Sequence, residues 1–144
     1  MTQKKIGLSL KACQLALKDL DFALKKLNKE PAKSEYHDLL KDAVMKRFEV
    51  LFEYLWKLFK IAAEFQGSEA PGPRPAIQEA AKYGWIDDVE FWAEVLDVRN
   101  NSVHDYFSDA TAPELTLIEK FADKSKTAIK KVEGMAKSGT GRDH

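Results

Sequence analysis

The chain has 144 residues, of which 44% are hydrophobic and 32% charged, and its 23 basic and 23 acidic side chains cancel to a formal net charge of zero. This composition fits one soluble globular domain and excludes a disordered chain, and the overall charge singles out no partner. The distribution is less even: residues 1–50 carry 11 basic and 7 acidic side chains, a net of +4, whereas residues 64–109 carry 3 and 10, a net of −7.

The first element follows from spacing. Ile6, Leu10, Cys13, Leu17, Leu20, Leu24 and Leu27 recur at steps of three and four and define one face of a long helix, with lysines on much of the opposite face. Pro31 ends it and Ser34 is a candidate N-cap for the next. Cys13 is the single cysteine, so no disulfide can form within the chain, and its place on the apolar stripe gives it a packing role. The start, Met1-Thr2-Gln3-Lys4-Lys5, leads into an amphipathic pattern rather than an unbroken apolar run, so no signal peptide is expected.

A second helix is expected from about Glu35 to Phe65. Leu40, Val44, Phe48, Leu51, Leu55, Leu58, Ala62 and Phe65 make one stripe, and Phe52, Trp56 and Phe59 make another beside it. So wide an apolar arc must be covered from two sides, by several neighbours in a bundle or by a second copy of the protein. Glu53, Lys57 and Lys60 interrupt the most apolar stretch, Leu51 to Ala63, which is too short to span a bilayer; a cytoplasmic protein is expected.

Gln66 to Pro75, with Gly67, Pro71, Gly72, Pro73 and Pro75, is the clear loop. A short third helix should span about Pro75 to Tyr83 and stop near Gly84. Asp87 with Glu90 reads as a capping box for a fourth, whose Val89, Trp92, Ala93, Leu96 and Arg99 share one side. A guanidinium at the edge of a buried face must find an anion or a carbonyl. Ser108 to Pro113 reads as a connection with Thr111 and Glu114 as a cap. The last helix then carries Leu115, Ile118, Phe121 or Ala122, Ser125, Ile129, Val132 and Ala136. The expected fold class is all-α, an up-and-down bundle of about five helices forming one domain over residues 1–137, with a tail at 138–144.

One stretch carries chemistry. Arg99-Asn100-Asn101-Ser102-Val103-His104-Asp105-Tyr106 places a permanent cation, an imidazole and a phenol within eight residues. Asn100 and Asn101 are good terminators, and Ser102 with Asp105 reads as a capping box, so a helix break is expected between Arg99 and His104. Free N–H groups at a helix start attract an anion and favour neutral imidazole, and the arginine fork suits phosphate oxygens. A phosphate beside a proton-moving histidine is the minimum for metal-free phosphodiester cleavage. The same residues also suit plain helix punctuation. No Gly-rich phosphate loop with Lys is present, and His37, His104 and His144 have no metal-ligand spacing, so neither metal nor cofactor is expected.

Arg99, four residues, His104, one residue and Tyr106 form the R-x4-H-x-Y signature of HEPN-domain proteins. Lys46-Arg47-Phe48-Glu49, then Phe52-Glu53 and Trp56-Lys57, together with Ala81 to Asp87, Phe91-Trp92 and Arg99-Asn100, extend the likeness over most of residues 40–107. The chain resembles the nucleotidyltransferase substrate-binding proteins of that group, close to the HepT-type toxins. The resemblance implies a HEPN-like bundle that dimerises with the two motifs facing a shared cleft, and a minimal nucleotidyltransferase partner encoded alongside, as in type VII-like toxin–antitoxin pairs. It implies Arg99 as the group stabilising phosphate charge, His104 as general acid or base in RNA cleavage, and Tyr106 as acceptor of AMP from the partner. Asp105 and Asn100 are candidate orienting residues. The acidic segment around the motif would need Lys46, Arg47, Lys57 or Lys60 to line the cleft for RNA to bind. The alternative is a subunit without activity of its own that positions substrate for the partner enzyme.

Overall fold

The computed structural model describes residues 2–102 and 112–138. Five helices make up its regular structure: α1 (Thr2–Lys29), α2 (Glu35–Phe65), α3 (Pro73–Lys82), α4 (Val89–Ser102) and α5 (Ala112–Ser138). The all-α expectation holds. Gln3 at the start of α1 donates to the Ala136 carbonyl near the end of α5 (2.9 Å), and Asn28 donates to Glu119 (3.0 Å), so these two helices are antiparallel. α1 and α2 are antiparallel across a short turn, α4 runs back along α2, and α5 returns beside α4 and α1. Short α3 is wedged between α2 and α4, giving an up-down-up-down bundle with one inserted helix.

Local chemistry explains most of the boundaries. Ser34 caps α2 by accepting from the Tyr36 N–H at 3.0 Å, and α2 spans the expected residues. Gly67 and Gly84, at φ 93° and 80°, close α2 and α3. In each case the N–H two residues past the cap reaches back across the last turn, Ser68 to the Ala63 carbonyl and Trp85 to Ala80, both at 2.9 Å. α3 begins at Pro73 rather than Pro75. Both prolines lie in the first turn, where a missing N–H costs nothing because no carbonyl of the helix is there to accept it.

The seven expected core residues of α1 are all buried, joined by Ala16 and Ala23. On α2 the second stripe divides: Phe52 and Phe59 are core, and Trp56 is half-buried against it. Phe121 of α5 is the hub, edge-on to Phe48 (5.3 Å) and Trp92 (5.6 Å), while Phe59 meets Trp92 at 5.9 Å. Both Phe121 and Ala122 are buried, so the two alternatives for that turn of α5 are both correct.

Burial pushes the Cys13 thiol up to about 12 from an ordinary 9.0. Cys13 should therefore resist alkylating reagents in the native protein and react at once in denaturant. Because the folded state keeps a proton that the unfolded state releases, stability should be unaffected by this group below pH 9 and fall as pH rises from there towards 12. Equilibrium unfolding across that range, compared with Cys13→Ala, checks both. Among the described residues no helix is long and apolar enough to cross a membrane.

Candidate functional site

The site is built on α4. Its first turn is held by Asp88, whose carboxylate accepts from the Phe91 N–H at 3.1 Å. The cap is thus one residue later than the expected Asp87, which instead faces Lys124 at 3.6 Å. Phe91, Trp92, Val95 and Leu96 are buried, whereas Val89 is exposed rather than part of the inner face. Arg99 stands one turn beyond Val95 and two beyond Trp92, so the helix carries it to the rim of the core.

There the guanidinium finds the anion that its position demanded. Arg99 Nη2 donates to Glu53 Oε1 of α2 at 2.8 Å, and both side chains are about one-third exposed, at 31% and 32%. The other Glu53 oxygen faces Lys57 Nζ at 3.4 Å. Arg99 Nη1 also donates to the Asn100 side-chain oxygen at 3.3 Å. Glu53 is thus shared between two cations, Arg99 and Lys57. An incoming phosphate or carboxylate can meet the arginine fork by displacing Glu53, which keeps Lys57 as its counter-ion.

The other candidates named from the sequence separate. Lys46 is exposed on the Glu53 side of α2, about 10 Å along the helix by its seven-residue offset. Arg47 is turned away, its Nη1 donating to the Asp19 carbonyl of α1 at 3.0 Å, so it does not serve the Arg99 rim as expected. Lys60 is engaged by Glu64 at 2.6 Å. The helix end expected near Asn101 is not found there: α4 continues through Asn100 and Asn101 to Ser102, and the Ser102–Asp105 cap lies partly outside the described residues. His104, Asp105, Tyr106 and Thr111 lie outside the described residues. The sequence alone does not mark Glu53 as the partner of Arg99. Its signal is the acidic residue one turn before Lys57 inside the aromatic run of α2. Among the described residues no group of three or more His, Cys, Asp or Glu side chains could hold a metal.

Residues 10–134 match the family of nucleotidyltransferase substrate binding protein-like chains. The chain belongs to this family. The match runs from the third turn of α1 nearly to the end of α5 and includes both Glu53 and Arg99. Among solved structures, the fold is similar to HI0074 of Haemophilus influenzae, whose structure revealed the fold of a substrate binding domain of a nucleotidyltransferase. The two share 20% identity over 86% of this chain and 98% of that one, with a TM-score of 0.71. A Thermus thermophilus protein is similar at 24% identity, 81% and 98% coverage and a TM-score of 0.53. At these identities the likeness is one of fold. None of the curated proteins matches the chain by sequence. Within the substrate binding protein-like fold, the paired Glu53 and Arg99 occupy the seam where α4 crosses α2.

Proposed function

We propose that this protein is a substrate-binding partner of a nucleotidyltransferase carried on a separate polypeptide, completing or positioning the substrate without catalysing transfer itself. The observation that carries the reading is the family match over residues 10–134. The Arg99 rim supplies the chemistry: a planar fork, pre-aligned by Glu53 and Asn100, for an anionic group of the substrate. In solution the partner is expected to transfer nucleotide at a substantially higher rate when this chain is added, and equal rates with and without it would refute the proposal.

A second reading is favoured by the Arg99-x4-His104-x-Tyr106 string. Here the chain, as a homodimer, is a metal-independent endoribonuclease in which Arg99 steadies charge on the scissile phosphate and His104 moves the proton. The partner silences it as the Tyr106 oxygen bonds the α-phosphorus of ATP and pyrophosphate leaves. Cleavage of RNA by the purified chain in excess chelator, lost in His104→Ala, together with AMP on Tyr106 by mass spectrometry, would establish it. The family match over residues 10–134 supports the binding role over the nuclease.

A further inference from the structure

Along α1 an apolar row is left uncovered. Leu8, Leu15 and Phe22 of α1 are 64%, 60% and 57% exposed. They recur every seventh residue, which places them on one side of the helix about 10 Å apart. Lys4, Lys11, Lys18 and Lys25 repeat at the same interval beside them. Between this lysine row and α5 runs a groove of about 510 Å³ whose floor includes Leu17 and Ile129. Lys126 and Lys130 form its far wall, with Asp21 and Glu133 as the carboxylates along it. It continues towards Gln3 and Lys137, so it follows nearly the whole α1–α5 seam.

We propose that this groove seats an acidic amphipathic helix from another polypeptide, its leucine-type face on Phe22 and the floor of Leu17 and Ile129 and its flanking carboxylates on the two lysine rows. Three features select that occupant. A trough with an apolar floor between antiparallel helices, walled by lysines that recur every seventh residue, matches the repeat of a third helix laid along it. Charge excludes a second copy paired α1 to α1, since this helix holds seven lysines against two aspartates and would meet itself with like charge. A nucleic acid would use the lysines but not the apolar floor, and would meet Asp21 and Glu133 with its phosphates. The α1–α5 face alone carries this docking site, independently of the role given to Arg99.

The test uses the full chain and a labelled synthetic peptide of about 25 residues, the length that spans the seam at 1.5 Å per residue, with Leu at the a and d positions and Glu on the flanks. Fluorescence anisotropy is expected to show saturable binding. Binding should weaken about tenfold or more in Phe22→Ser and again in the Lys18→Glu, Lys126→Glu double variant. These are surface changes, so the circular dichroism melt should not move, which separates loss of docking from loss of fold. The proposal is overturned by absence of saturable binding, by equal binding of a scrambled peptide of the same composition, or by variants that bind as the parent does. Preferential binding of a uridine homopolymer or of anionic vesicles, or self-association through Leu15 and Phe22, would overturn it as well.

Discussion

Arg99→Ala is expected to reduce substrate-dependent activity by about two orders of magnitude while leaving the thermal melt nearly unchanged. The two effects separate because the Arg99–Glu53 pair is about one-third exposed, and ion pairs of that kind contribute roughly 0–1 kcal/mol to folding. A charged hydrogen bond to a bound anion is worth more, about 2–4 kcal/mol where water is excluded, and that converts to the expected loss. Alanine also leaves Glu53 facing the ligand with Lys57 as its neighbour, so repulsion adds to the missing attraction. Arg99→Lys should recover only part of the function, since an ammonium cannot present two parallel donors. Glu53→Gln is the informative companion. It removes the competing carboxylate and keeps the size of the side chain, so anion affinity should hold or rise. Nucleotidyl transfer with the partner, measured beside RNA cleavage by the chain alone, distinguishes which activity depends on the guanidinium. Arg99→Ala with both activities intact would remove this residue from the site.

The helices were legible because local signals and core demands agree in them. In α2 the Ser34 cap, the apolar stripe from Val44 to Phe65 and the Gly67 turn all point to the same boundaries. Where two neighbouring residues offer the same chemistry, the sequence does not choose. Asp87 and Asp88 can each cap a helix, and the burial of Phe91 and Trp92 selects Asp88. Asn100 and Asn101 are weak helix formers, yet their cost of about 0.7 kcal/mol each is small beside the packing that holds α4 in place, so the helix runs on to Ser102. The exposed row Leu8, Leu15 and Phe22 was hidden by the stronger row on the opposite side of α1. Glu53 shows a harder limit. The need of Arg99 for an anion could be read from its place at the edge of an apolar face, but its partner is 46 residues away on another helix, and only the crossing of α4 over α2 brings the two together.

That crossing is secured by Trp92, and Trp92→Ala should be the most destabilising single change. The indole is 1% exposed and touches Phe59 of α2, Phe91 of α4 and Phe121 of α5, at 5.9, 6.2 and 5.6 Å between ring centroids. Removing a buried aromatic of this size costs about 3–5 kcal/mol, a large share of the stability of a domain this size and a fall of about 10–15 °C in the melting midpoint. Trp92→Phe should cost far less. It keeps a ring against Phe121, and it removes an indole N–H that has no hydrogen-bond partner among the described residues, so no polar group is orphaned by the change. The alanine variant should also lose function beyond its loss of stability, measured well below its melting midpoint, because Arg99 follows Trp92 by two turns on the same helix and its reach to Glu53 depends on how α4 is seated. A melt unchanged in Trp92→Ala would mean that the aromatic cluster does not anchor α4. Lost stability with full activity at low temperature would mean that α4 keeps its place on α2 without the indole, and that the ion pair rather than the core sets the position of the guanidinium.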